Sequence, residues 1–159
     1  MLAEFLAHYE ANIARESRPV PGAVRMLERL AAEGATLAVC TNKQERLSRL
    51  LLQELDLEDY FSAIAGRDTF LPSKPDPGHL TGTITLAGGD PSNALMIGDS
   101  DVDVMTAKAA HVPIILVSFG YATTPLAELK AEATIDHFDQ LDVCAATLLG
   151  TAMKRHARS

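Results

Sequence analysis

Three aspartates stand within six residues in Gly98-Asp99-Ser100-Asp101-Val102-Asp103. Two carboxylates about 6 Å apart repel by about 3 kcal/mol at an effective dielectric near ~20. A raised pKa or a bound divalent cation relieves that repulsion. A calcium loop opening at Asp99 would need Gly at position 104 and Glu at 110, where the chain has Val104 and Ala110. Magnesium, held through one or two carboxylates and several waters, fits better. Helix capping by Asp99, Ser100 or Asp101 is a blander role, compatible with the first.

Two other groups could act with this cluster. Thr41-Asn42 are turn formers, and also a hydroxyl and backbone N–H groups suited to cradle a phosphate ahead of a helix, with Lys43 beside them. Lys74, in Ser73-Lys74-Pro75-Asp76-Pro77, is either a solvated lysine or an ammonium held by stiff backbone against a phosphoryl group. The combined chemistry is that of a phosphate and a divalent cation.

Positioning such groups requires a framework, and the pattern supplies one. Helical spacing runs over 2–16, 23–33, 43–55, 77–88, 101–110, 125–130 and 138–149. In 43–55, Leu47, Leu50 and Leu51 are expected inward. Short apolar runs at 35–40, 61–65, 95–97, 114–117 and 134–135 read as strands. Gly34 and Gly88-Gly89 stop helices, and Asp76-Pro77 starts one. Alternating strands and helices predict an α/β fold, a Rossmann-like parallel sheet with helices on both faces. Thr41-Asn42 and Asp99-Ser100 fall at carboxyl ends of strands, where ligands of such sheets bind, and the Lys74 loop should reach the same edge.

The 159 residues suit one domain with a sizeable core. With 14 Lys+Arg against 21 Asp+Glu the net charge is −7, which argues against nucleic acid or an anionic membrane as partner. No apolar run approaches the roughly 18 residues of a membrane span. The cysteines, Cys40 and Cys144, match no metal or redox spacing, and a cytoplasmic setting is expected.

Cys40-Thr41-Asn42-Lys43, Ser73-Lys74-Pro75-Asp76-Pro77 and Gly98-Asp99-Ser100-Asp101-Val102-Asp103 resemble, in order and spacing, motifs two, three and four of the haloacid dehalogenase-like hydrolases. The Thr-Asn-Lys and Lys-Pro-Asp-Pro wording and Phe119-Gly120-Tyr121 are most similar to phosphoglycolate phosphatases. The resemblance spans residues from about 17 to 145. It implies Mg²⁺-dependent hydrolysis of a small phosphate monoester, such as 2-phosphoglycolate, through a phosphoaspartate. It implies that Thr41 and Asn42 bind the phosphoryl group, and that Lys74 bridges it to the nucleophile. Asp99 would ligate Mg²⁺, and Asp103 would be a ligand or an orienting group. Asp101 matches no fixed family position and is expected as surface charge or cap.

The family's first motif, Asp-x-Asp-Gly-Thr, supplies the nucleophile and the acid-base aspartate. Here the first aspartate is Asp56. Residues 1–18 resemble instead a remnant cap helix, before a core at 19–150 lacking its first strand and a flexible basic tail at 151–159. The strands ending at Thr41 and Asp99 are then expected to pair directly, or to leave a slot that another chain fills, giving a strand-mediated homodimer. The chain alone is expected to be inactive. The alternatives are a non-catalytic phosphate- or Mg²⁺-binding or regulatory module, and a sugar-phosphate mutase. A dehalogenase is disfavoured, because that branch has Ser-Asn where this chain has Gly-Asp. His111, where the family usually has Gly, reads as a helix-end residue. Neither His79 nor His137 is expected to be catalytic.

Overall fold

A computed structural model describes the backbone of residues 4–7 and 18–156, and side chains over 18–150. Six parallel strands form one sheet: β1 (Glu4–Ala7), β2 (Thr36–Cys40), β3 (Ala63–Ala65), β4 (Ala94–Gly98), β5 (Ile114–Val117) and β6 (Ala133–Ile135), in the order β3-β2-β1-β4-β5-β6. The helices are α1 (Ala23–Ala32), α2 (Glu45–Glu54), α3 (Pro77–Leu86), α4 (Asp101–Ala109), α5 (Leu126–Leu129) and α6 (Leu141–His156). None of the described helices is long and apolar enough to cross a membrane.

The apolar runs are uninterrupted because both faces of the sheet are covered. Side chains alternate across each strand. Leu37, Val39, Leu95, Ile97 and Ile115 join α1 and α6 on one face. Ala38, Cys40, Ala63, Met96 and Ile114 join α3 and α4 on the other.

The largest departure from the sequence pattern is at the amino terminus. Glu4–Ala7 is a strand rather than part of a helix, and the rest of the expected helix lies outside the described residues. It occupies the central slot: Glu4, Phe5 and Leu6 pair with Thr36, Leu37 and Ala38, and Glu4 to Ala7 pair with Ala94 to Ile97. β2 and β4 therefore do not pair directly, and the slot that motivated a dimer is filled from within the chain. Two facing rows of backbone N–H and C=O groups in a buried sheet need partners. That demand outweighs the helical spacing of a four-residue segment.

Smaller departures have local causes. In α2 the buried residues are Ser48, Leu51 and Leu52, while Leu47 and Leu50 are exposed. The Ser48 hydroxyl donates to the Gln44 carbonyl at 3.0 Å, so it enters the core already satisfied. The backbone of α6 stays helical to His156, past the end of the apolar pattern at Leu149. α1 and α3 end as the glycines indicate, at Gly34 (φ 82°) and Gly88 (φ 85°). Gly34 and Ala35 N–H donate back to Ala31 and Leu30 carbonyls, a Schellman closure. α4 closes the same way at His111, whose φ of 57° is left-handed without the freedom of glycine.

Candidate functional site

The strand order places a topological switch between β1 and β4, where ligands of open α/β sheets bind. Leu6 pairs with both Ala38 and Met96. Thr41 and Asp99, each three residues further along, therefore stand level at the carboxyl edge. Two strand spacings separate them, about 10 Å.

Thr41 is buried, and its N–H donates to the Ala65 carbonyl. Its hydroxyl accepts from Lys43 N–H at 3.1 Å, leaving the hydroxyl proton to be directed elsewhere. The N-terminus of α2 is not an open anion cradle, because Glu45 N–H donates to the Asp68 carboxylate at 2.8 Å.

Asn42 does more than supply backbone. Its side-chain amide donates to the Lys74 carbonyl at 3.0 Å, and its amide oxygen accepts from Lys74 N–H at 3.1 Å. This paired bond fastens the 73–77 segment to the end of β2. Asp76 then caps α3 by accepting from Gly78 N–H at 2.8 Å, with Pro77 as the first helical residue, as the sequence predicts.

Lys74 is not a solvated lysine. Its side chain is 1% exposed, and its ammonium lies 2.5 Å from Asp103 Oδ1. Asp103 is also fully buried, and its Oδ2 accepts from Asp99 N–H (3.0 Å), Ser100 N–H (3.2 Å) and the Ser100 hydroxyl (3.0 Å). Ser100, rather than either neighbouring aspartate, is the N-cap of α4, in a capping box with Asp103. Both Asp103 oxygens are thus engaged with protein donors. The carboxylate thereby joins the Lys74 ammonium to the turn at Asp99.

Asp99 follows β4 and is largely buried, 8% exposed. A Cβ on Gly120 would lie 2.3 Å from Asp99 Cβ, and Tyr121 N–H donates to the Asp99 carbonyl at 2.9 Å. Gly98 has a similar role beneath: a Cβ there would meet Asp103 Cβ at 2.5 Å. These close approaches explain why both motifs contain glycine. Among the described residues no group of three or more His, Cys, Asp or Glu side chains converges on a metal position. One hard carboxylate, Asp99, fits Mg²⁺, which needs only one or two from protein, better than it fits calcium or zinc.

His79 is fully buried on α3, with Nε2 2.8 Å from the Gly66 carbonyl and Nδ1 3.2 Å from Cys40 Sγ. The carbonyl can only accept, so Nε2 carries the proton and the Cys40 thiol donates to Nδ1. Burial pushes that thiol up to about 11. His79 therefore joins β2, the Gly66 turn and α3 structurally and is not presented to a substrate. His137 caps a single turn through Asp139 N–H at 3.0 Å. The sequence motifs contained Thr41, Asn42, Lys74, Asp99 and Asp103. The Asn42 amide pairing and the packing of Gly120 on Asp99 were not readable from residue types, whereas Ser100 was one of three candidate caps.

Known proteins resemble this chain in sequence and in fold. The phosphoglycolate phosphatase of Mesorhizobium japonicum is 50% identical over 143 residues, which is 90% of this chain and 63% of that protein. That of Agrobacterium fabrum is 48% identical over 137 residues, 86% of this chain and 59% of that protein. The chain spans about three fifths of the length of these relatives. The crystal structure of a predicted phosphoglycolate phosphatase from Haemophilus somnus 129pt superposes with a TM-score of 0.76 at 29% identity, covering 82% of this chain and 58% of that one. The family model described as haloacid dehalogenase-like hydrolase matches residues 1–117, and the chain belongs to that family.

Proposed function

We propose that this chain carries the phosphate-binding and cation-binding half of a Mg²⁺-dependent phosphatase for small phosphate monoesters such as 2-phosphoglycolate. The observation that carries this reading is the double tethering of Lys74. Asn42 holds its backbone at the β2 edge and Asp103 holds its ammonium beside the β4 edge, so it bridges Thr41 and Asp99 across the switch point. In that position the Thr41 hydroxyl donates to a phosphoryl oxygen. The Asn42 N–H offers a second donor. The Lys74 ammonium offsets phosphoryl charge in a water-poor site. Asp103 keeps the Lys74 ammonium aimed. Asp99 would hold Mg²⁺, which when bound neutralises phosphoryl charge.

The nucleophile is missing from these residues. β1 fills the central strand, yet residues 1–55 contain no aspartate. The chain alone is therefore expected not to turn over p-nitrophenyl phosphate with Mg²⁺. Turnover that is abolished by Asp99→Ala would reveal a nucleophile outside this account. A second reading, a non-catalytic phosphate- or Mg²⁺-binding module, is favoured by the self-completed sheet. The in-frame sequence upstream of Met1 separates the two. If it encodes Asp-x-Asp-Gly-Thr, the extended protein should hydrolyse 2-phosphoglycolate with Mg²⁺. If it encodes no such motif, the module is the better reading.

A further inference from the structure

Asp101 has no part in the roles above, yet its carboxylate is heavily engaged at the first turn of α4. Oδ1 accepts from Thr123 N–H at 2.9 Å. Oδ2 accepts from the Thr123 hydroxyl (3.2 Å), Thr124 N–H (3.2 Å) and the Thr124 hydroxyl (2.5 Å). Both threonines close the 118–124 loop between β5 and α5. That loop lies on Asp99: Gly120 packs on its Cβ and carbonyl, and Tyr121 N–H donates to that carbonyl.

The loop has little burial of its own. Phe119 and Tyr121 are 43% and 53% exposed, although Phe119 leans edge-on against Phe138 with ring centroids 5.4 Å apart. The start of the loop is thus held by an aromatic contact and its far end by Asp101. A segment with few apolar contacts opens easily unless polar anchors close it.

We infer that Asp101 is a positioning residue: its carboxylate latches the 118–124 loop onto Asp99 and so fixes the cation-ligating group. Acceptor geometry, not negative charge, is the working property. The inference rests on the reading of Asp99 as the Mg²⁺ ligand. Asn at position 101 keeps one carbonyl oxygen at the place of Oδ1, within reach of Thr123 N–H (2.9 Å) and Thr124 N–H (3.5 Å), and offers N–H to the threonine hydroxyls, which also accept, while losing the 3.2 Å bond from Thr124 N–H. Ala keeps neither. A role through charge would fail equally in both variants.

The test uses the ¹⁵N-labelled 159-residue chain, with hydrogen exchange at Tyr121 N–H as one arm and an NMR titration with MgCl₂ alone as the other. Asp101→Ala should speed Tyr121 exchange and weaken Mg²⁺ binding, each about tenfold. It should leave exchange of the β5 core amide of Ile115 unchanged. Asp101→Asn, which keeps part of the acceptor set, should fall between wild type and Asp101→Ala in both arms, about threefold from wild type. Unchanged Tyr121 exchange in Asp101→Ala, or Mg²⁺ weakening in Asp101→Asn equal to that in Asp101→Ala, overturns the latch. Should the wild-type chain show no Mg²⁺-dependent shift at Asp99, the ligand reading falls. The exchange arm then decides the latch by itself.

Discussion

Replacing Lys74 by Met tests the centre of the site. The substitution keeps length and apolar bulk but removes the ammonium 2.5 Å from Asp103 Oδ1. With side-chain exposures of 1% and 0%, water cannot replace the lost partner. Breaking a buried ion pair from one side costs about 3–5 kcal/mol. Asp103 keeps three donors on Oδ2, so the residual charge is partly compensated and the lower end, about 3 kcal/mol, is expected. In a domain of this size that lowers Tm by about 6–12 °C. The exposed Arg49–Glu45 pair, at 3.0 Å but with side chains 42% and 32% exposed, gives a control. Arg49→Ala should cost only about 0.5 kcal/mol. Thermal and urea unfolding followed by far-UV circular dichroism measure both. Adding Asp103→Asn to Lys74→Met should cost about 2 kcal/mol less than the two single changes added together. A Lys74→Met melting point within about 2 °C of wild type, or strict additivity in the double variant, would refute the reasoning.

Gly120→Ala forces a Cβ to within 2.3 Å of Asp99 Cβ, so it should cost about 2 kcal/mol and shift the Asp99 amide resonance; a silent substitution would mean the loop is not seated as described. His111→Gly relieves a left-handed residue (φ 57°) and should raise stability by about 1 kcal/mol in urea unfolding, whereas a loss would contradict the strain assignment. With Cys40 buried and pushed up to about 11, a thiol reagent at about pH 8 should label only the half-buried Cys144 quickly in the native protein, and both cysteines in denaturant. The Thr69 hydroxyl foremost, then Arg49, hold Glu45 below its ordinary 4.5. The stability lost in Glu45→Gln should therefore be full above that pH and vanish as pH falls through the lowered value; a gap that persists in acid would count against it.

How much was legible follows from where each signal is local. Asp76-Pro77 fixed the start of α3 because a cap and its helix are neighbours in sequence. Gly34 and Gly88 marked helix ends for the same reason. The face of α2 was not legible, since its many leucines leave the phase open and the inward Ser48 is made tolerable by a bond inside the helix. β1 was not legible either. Four residues carry no decisive period, and what makes them a strand is the pair of edges, Thr36 to Ala38 and Ala94 to Ile97, that they must satisfy.

The site residues were legible as types because motif wording records chemistry, but their couplings were not. Asn42 reads as a turn residue from its neighbours alone, and its partner stands 32 residues away. That coupling changes what the site is. Lys74 backbone is held from β2 and its ammonium from α4, while Gly66 sits so close to α2 that a Cβ would lie 2.2 Å from Glu45 N. Thr41, Lys74 and Asp99 are therefore tied to one another by bonds among residues 40–124, added to the register that β1 sets between β2 and β4. Preorganised donors cost no rearrangement when charge arrives. A site built this way should bind a phosphoryl group in nearly its resting geometry, so that inorganic phosphate shifts the amides of Thr41, Asn42 and Asp99 without altering Tyr121 exchange. Phosphate-dependent rearrangement of the 73–77 segment would show instead that the cradle is assembled by its ligand.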